Sequence, residues 1–316
     1  MPQTDRSRAL RTALALRPLL GDGATGTQLQ ELGLAPGACG ELWNTQFPDR
    51  IRRVHRRYFE AGADLLTTNT FGGTSFVLES HGVTGRVAEL NYAAARLARE
   101  IAGDRAWVLG DLGPFGGLLE PLGDTPPELA AAAFRAQADA LLAGGADALL
   151  VETMSDPAEA ALAVQAAKAA GADLVFATFT FQKTAVGYRT MMGTTAAAAV
   201  AAVVAAGADV VGANCGTALS LEDYAHLTAE LVAAAGARPV IVQPNAGSPR
   251  LVDGRISYAE SAAQFAAAAP HLLAAGARLV GGCCGSTPAH IAALAPIVKA
   301  PSRPFPHPQP ASITLA

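Results

Sequence analysis

A four-residue phrase recurs along the chain. It reads AGAD at 61–64, GGAD at 144–147 and AGAD again at 170–173 and 206–209, with AGAR at 235–238 and 275–278. Each copy follows an Ala-rich stretch with helical spacing and precedes a short aliphatic run. Glycine takes the left-handed conformation that ends a helix, so each copy predicts a helix that stops and passes at once into a buried strand. Repeated turns of this kind demand parallel strands, because parallel neighbours need a helical crossover. The strands predicted this way lie at 19–21, 64–68, 107–110, 148–152, 174–178, 210–213, 240–243 and 279–281. Eight βα units in 316 residues point to one α/β domain, a (β/α)8 TIM barrel over 1–300. No GxGxxG follows the first strand, which weighs against an open dinucleotide-binding sheet.

The rest of the chain fits a soluble barrel. Half of it is hydrophobic (51%), enough for one large core. A net charge of -4 gives no pull toward nucleic acid or acidic membranes, and no apolar run reaches the ~18 residues of a span. Residues 1–20 lack a small-residue cleavage site and read as a short helix. Four cysteines without a secretion signal, two of them adjacent, form no disulfide framework. A cytoplasmic chain with reduced thiols is expected. Ile51, Val54, Tyr58 and Phe59 make an apolar helical stripe, and Arg52, Arg53, Arg56 and Arg57 a solvated opposite face. Gly- and Pro-rich 111–127 and the stretch 179–195 are long loops after strands, on the face where barrel active sites form. The Pro-rich segment 301–316 reads as a tail, either loose or packed on a neighbouring subunit of a homo-oligomer.

Chemistry concentrates at the strand ends. Cys215 closes the sixth strand in GANCG, and Cys283 and Cys284 follow the eighth in GGCCG. The barrel brings these ends to one rim, where three thiolates could meet. Zinc suits sulfur, and three protein ligands leave a fourth position for catalysis. The alternative is three inert buried cysteines; Cys39 has no partner in view. Asp22, in GDGATGT, could hold an ammonium, and Glu152 at the end of the fourth strand is a second acid on the rim. Each could instead be a helix cap or a structural hydrogen-bonding group. The small residues Ala24, Thr25, Gly26 and Thr27 expose backbone N–H groups that could hold a carboxylate. Thr68 lies in the polar end of the second strand. Asn245, in QPNAG, is a zinc oxygen ligand or a turn residue. The six histidines are scattered, and none receives a catalytic role.

The motifs GDGATGT, AGADLLTTNTFGG, VET at 151–153, GANCG, QPNAG and GGCCGSTP together resemble the homocysteine S-methyltransferase family over residues 15–300. The resemblance implies a TIM barrel with zinc on Cys215, Cys283 and Cys284, and Asn245 as a labile ligand. It also implies Asp22 and Glu152 on the homocysteine amino group, and the amides of 24–27 with Thr68 on its carboxylate. The product would be methionine. Betaine enzymes of the family cage a quaternary ammonium with aromatic rings; here Gly72 and Cys39 stand at those places, with Trp43 nearby. TNTFGG and GATGT look closer to the methionine synthase module, which takes its methyl from methylcobalamin. The chain is too short to carry cobalamin and folate domains as well, so a separate corrinoid protein is one expected donor. S-methylmethionine and S-adenosylmethionine are others, and betaine is the alternative. Rival readings are a metal-dependent lyase or hydrolase, and a non-catalytic zinc- or thiol-binding protein.

Overall fold

The computed structural model describes residues 3–252 and 255–300. Eight parallel strands form the sheet: β1 (Leu19–Leu20), β2 (Leu65–Thr67), β3 (Trp107–Leu112), β4 (Ala148–Met154), β5 (Val175–Phe179), β6 (Val210–Cys215), β7 (Val240–Pro244) and β8 (Ala277–Val280). Their order is β1-β8-β7-β6-β5-β4-β3-β2, so chain neighbours are sheet neighbours and β1 returns beside β8. This is the expected TIM barrel. All eight predicted strands are present, with ends displaced by a few residues at most.

The glycines of the repeat behave as the phrase requires. Gly62, Gly145, Gly171, Gly207 and Gly276 all have φ between 99 and 108°, a conformation costly for any residue with a Cβ. Three of the four aspartates that follow do something the phrase did not announce. Asp64, Asp147 and Asp209 each accept a hydrogen bond from a backbone N–H of the preceding strand: Leu20 at 2.9 Å, Val108 at 2.8 Å and Val175 at 2.9 Å. They lace odd strands to even ones at the floor of the barrel.

The N-terminal helix α1 (Gln3–Leu16) plugs that floor. Its Leu10 and Leu14 join the interior cluster of Leu19, Leu65, Leu109, Leu150, Phe176 and Ile241. Its arginines Arg6 and Arg11 reach the lacing aspartates Asp147 (2.8 Å) and Asp209 (2.9 Å), and Arg17, just past its C-terminus, reaches Asp64 (3.1 Å). The expected helix is therefore part of the barrel. Outside the sheet, Ala-rich helices pack through small side chains into a second, larger core.

The seam between β1 and β2 has no continuous ladder. It is closed by the Asp64 N–H to Leu20 O at 2.7 Å, and by the carboxylates of Asp64 and Asp22 bonding the N–H groups of Leu20 and Thr67. The loop expected over 179–195 holds an antiparallel hairpin, Gln182–Thr184 with Gly187–Arg189, and a second hairpin, Pro249–Val252 with Arg255–Tyr258, follows β7. The first lacks the alternation of a buried strand: Gln182 and Lys183 are exposed, and of its strand residues only Tyr188 is buried. The tail at 301–316 lies outside the described residues. No described helix is long and apolar enough to cross a membrane.

Asp64 binds the seam, Arg17 and Lys299 at once. Asp64→Ala should cost about 3 kcal/mol, because it orphans a buried N–H and two cations. Urea unfolding checks this; a loss under about 0.5 kcal/mol would mean that the seam does not need the carboxylate.

Candidate active site

Side chains alternate along a strand, so the residues two steps beyond the interior leucines also point inward. Leu65 leads to Thr67, Leu109 to Asp111, Leu150 to Glu152, Phe176 to Thr178, and Ile241 to Gln243. Val210 leads through Gly212 to Asn214, and Leu279 through Gly281 to Cys283. A leucine layer thus gives way to a polar one at the C-terminal mouth.

The three predicted cysteines meet there. Cys215 Sγ lies 3.9 Å from Cys284 Sγ, Cys284 Sγ lies 4.0 Å from Cys283 Sγ, and all three fall within 4.8 Å of one another. Hydrogen bonds place them. Beyond β8 the chain keeps bonding on both sides, Gly282 N–H to Asp22 O at 2.9 Å and Cys283 N–H to Pro244 O at 2.8 Å, and Cys284 O accepts from Ala246 at 2.9 Å. Cys215 adopts φ 56° and Gly216 φ 93°, turning the chain so that the thiol faces inward. A Cβ on Gly216 would lie 2.8 Å from Phe181 O at the base of the first hairpin. Cys39 lies apart, 3.3 Å from Glu41 Oε2, and burial with the Glu41 charge pushes it up to about 11.

Three sulfurs bound to zinc at about 2.3 Å in a tetrahedron have edges of about 3.8 Å, close to the spacing found. Hydrogen bonds from the Cys283 and Cys284 thiols drive Cys215 down to about 3, helped by the Asn245 amide and the Gly216 N–H, while its partners are pushed up. These bonds favour the thiolate form at Cys215 over its two partners. Asn245 Nδ2 lies 3.7 Å from Cys215 Sγ and donates to Gly216 O at 3.1 Å, whereas its Oδ1 is buried with no partner. An amide against the sulfur cluster, its oxygen unsatisfied, fits a cation there.

The two predicted acids are both inside. Asp22 accepts from Thr67 N–H at 2.7 Å and Thr67 Oγ1 at 2.8 Å. Burial nevertheless pushes its carboxyl up to about 7. Burial, with the Asp22 and Cys215 charges, raises Glu152 to about 7 as well, against a bond to Asp111. No described cation faces either group.

The remaining predicted residues divide. Ala24 N–H is taken by Ser286 Oγ at 3.1 Å, and Ala24 O accepts from Tyr58 OH at 2.8 Å. Thr25, Gly26 and Thr27 open a short helix with no capping side chain, and Thr27 Oγ1 is buried without a partner. Thr68 Oγ1 is committed to Thr70 Oγ1 at 2.6 Å and to the Asp111 N–H at 2.9 Å.

Asn214 is the residue that sequence reasoning passed over. Its Nδ2 reaches Glu152 Oε2 (3.2 Å), Thr153 Oγ1 (2.6 Å) and Cys283 Sγ (3.8 Å), and its Oδ1 accepts from Thr178 Oγ1 (2.8 Å) and Thr153 N–H (3.0 Å). It ties acid to thiol, and it holds Thr153 at φ 61°. Such a left-handed β-branched residue is strained and persists only when its surroundings fix it. Asp111 and Gln243 were also missed, and the alternation from the leucine layer is the signal that finds all three. Ser286 donates to Cys283 O at 2.7 Å and accepts from Ala24, joining the first and last strand ends. His290 bonds Thr287 and Glu260 O, which accounts for it without a metal.

Comparison with known proteins agrees with this geometry. A sequence model described as homocysteine S-methyltransferase matches residues 19–298. The methionine synthase of Mycobacterium tuberculosis is 37% identical over 93% of this chain, and that of Mycobacterium leprae 38% over 92%. The chain spans about a quarter of the length of these relatives, 26% and 25%. The metallated form of the homocysteine methyltransferase MmuM from Escherichia coli superposes with a TM-score of 0.74 at 27% identity, covering 92% of this chain and 99% of that one. Its oxidized form gives 0.73 at 28% identity, over 90% and 98%.

Two outcomes follow for the metal-free, ligand-free, reduced protein. Cys215 should react with iodoacetamide at a rate nearly flat from about pH 6 to pH 8, since its thiolate is already formed, while Cys39 gains about tenfold per pH unit; peptide mass spectrometry reads both. Stability should fall as pH rises. Asp22 and Glu152 have pKa values raised from 3.8 and 4.5 to about 7, so their contribution is complete below the unfolded values and is lost as pH passes 7. Glu152→Gln should flatten the fall in melting temperature between about pH 5 and pH 8.

Proposed function

The chain belongs to the homocysteine S-methyltransferase family, and from that premise we propose that it converts homocysteine to methionine at a zinc site made by Cys215, Cys283 and Cys284. The observation that carries the reading is the triangle of sulfurs with the unsatisfied Asn245 Oδ1 beside it. Zinc bound there supplies a Lewis acid that keeps a substrate thiol as its thiolate at neutral pH. Asn245, whose Oδ1 has no other partner, would offer the zinc a further oxygen ligand when no thiol is present. The non-catalytic reading falls with the family membership.

The chain's own residues supply orientation. Asp22 and Glu152 take the substrate ammonium, which also removes the cost of two buried acids without a counter-charge. The N–H groups of 25–27 and the free Thr27 hydroxyl take the carboxylate; the Ala24 amide is already engaged. Thr68 serves from behind, by holding the Asp111 backbone. Asn214, bonded to Glu152 and Cys283 together, sets the distance between the amino-group site and the sulfur site. A sulfur–carbon bond forms as the donor–methyl bond breaks, and no side chain needs to move a proton at the methyl carbon.

On the donor side, the positions where betaine enzymes carry caging rings hold none here. A Cβ at Gly72 would lie 2.9 Å from Val77 and 3.0 Å from Glu41. Cys39 is buried against Glu41. Trp43 is buried with Arg50 over its ring at 4.7 Å and Phe47 at its edge, so it does not supply the missing ring. Betaine is therefore disfavoured. Exposed Phe71, Leu118, Leu122, Val186, Met191 and Met192 crown loops after β2, β3 and β5, around the mouth. An apolar rim of this kind suits a large donor, a corrinoid on a separate protein, over a small cation.

The test is metal analysis with a donor panel. The protein should carry about one zinc per chain, lost on Cys215→Ala, Cys283→Ala or Cys284→Ala. With homocysteine, methylcobalamin on a carrier protein should yield methionine faster than S-methylmethionine, S-adenosylmethionine or betaine. Methionine formation by metal-free protein would sink the proposal; turnover with S-methylmethionine alone would replace the donor and leave the zinc site standing.

A further inference from the structure

Asp111 stands in the polar layer without a stated job. It closes β3 opposite Leu150, so along the same inward face it is the diagonal neighbour of Glu152 on β4. It is 3% exposed, and its Oδ1 receives no hydrogen bond from any described group. Its backbone, by contrast, is held tightly. The N–H donates to Thr68 Oγ1 at 2.9 Å, and the carbonyl accepts from Thr70 Oγ1 at 2.7 Å and Gln137 Nε2 at 3.1 Å. Gln137 also holds Thr70 O at 2.7 Å. A backbone fixed this firmly aims the side chain, and the charged groups that act on it are other acids: Glu152, Glu41 and Asp22.

A buried carboxyl group surrounded by acids is costly unless a ligand uses it. The ligand chemistry follows from counting. A primary ammonium carries three N–H donors. Asp22 from β1 and Glu152 from β4 offer two acceptors, and β3 lies between β2, beside the seam, and β4. We propose that Asp111 is the third acceptor of the ammonium subsite and makes the enzyme select thiol acceptors that bear an unsubstituted primary amine. The proposal rests on the homocysteine reading above. Burial and the Glu152 charge push Asp111 well above the ordinary carboxylate range. It therefore enters as the neutral acid, one oxygen turned to Glu152 by the shared proton and the other free to accept an N–H from substrate. The subsite then meets one ammonium without a third full negative charge. An asparagine can play the same part, its NH2 toward Glu152 and its oxygen toward the ligand, whereas leucine cannot.

The experiment compares zinc-loaded wild-type, Asp111→Leu and Asp111→Asn proteins. Calorimetry measures the binding of homocysteine and of 4-mercaptobutanoate, which lacks the amine, and donor turnover gives KM and kcat. Asp111→Leu should weaken homocysteine at least tenfold and raise KM in step, with kcat within about threefold. Asp111→Asn should recover most of the loss, and 4-mercaptobutanoate should bind all three proteins alike. Equal homocysteine affinity in wild type and Asp111→Leu overturns the proposal, as does a leucine penalty that 4-mercaptobutanoate shares, which marks a merely structural role. An Asp111→Asn protein as weak as Asp111→Leu also overturns it. Wild-type protein that binds no homocysteine brings down the parent reading instead, and is told apart because no variant is needed to see it.

Discussion

The barrel depends on the carboxylates at its floor. In a parallel sheet each strand enters from a helix, and its first N–H groups have no partner within the turn. Asp64, Asp147 and Asp209 meet that need from the neighbouring strand. Because each sits two residues after a glycine fixed by its φ, the three arrive at the same height. Three such anions at one end of a barrel would repel one another; Arg6 and Arg11 of α1 and Arg17 just past it neutralise them, and Leu10 and Leu14 of the helix seal the interior below. One short motif thus sets strand entry, register and the closing of the floor. Of the pocket acids Asp22, Asp111 and Glu152 at the C-terminal mouth, Asp22 is the one whose carboxylate holds a backbone N–H.

Asp22 is the exception because the seam runs past it. β1 is only two residues long, and its contact with β2 at the top is made by a side chain. The same carboxylate that closes the barrel therefore faces the pocket. This explains why its pKa stays high although Thr67 gives it two hydrogen bonds: burial outweighs them. A residue with both duties has little freedom to move, which suits a group that fixes the position of a substrate amine.

The fold was legible because its signal is periodic. Glycine after a helix and an aliphatic run after glycine recur often enough that strand count and parallel pairing follow. The hairpins over the mouth were not legible, since short exposed strands such as Gln182–Thr184 bury no face and leave no alternation to read. At the site, Cys215, Cys283, Cys284, Asp22 and Glu152 were found because their side chains advertise chemistry. Asn214 and Asp111 were not found, although Asn214 lies beside Cys215 in the same motif. An amide or an acid at a strand end reads as a turn residue until the register is known. With register in hand, stepping by two from Leu109 and Val210 identifies both. Thr153 shows what sequence cannot give: its left-handed backbone arises from the bulge in β4, and only the Asn214 amide makes it tenable.

The mouth is built to be incomplete. Around it lie carboxyl groups raised by burial, three sulfurs whose bonds favour a thiolate at Cys215, and buried oxygens on Asn245, Gln243 and Asp111 without a donor. Each is unfavourable in the empty protein, and all are relieved by the same kind of addition, positive charge or N–H donors. Stability is supplied elsewhere, by the leucine layers, the Ala-packed helices and the laced floor, so the top of the barrel can carry groups that no fold would keep for its own sake. A cation among the sulfurs and an ammonium among the acids satisfy the two halves separately. Asn214, bonded to one member of each half, links them: a shift of Cys283 would reach Glu152 through a single amide. On the proposed function, that link would make metal and amino-group recognition cooperate rather than act as two independent sites.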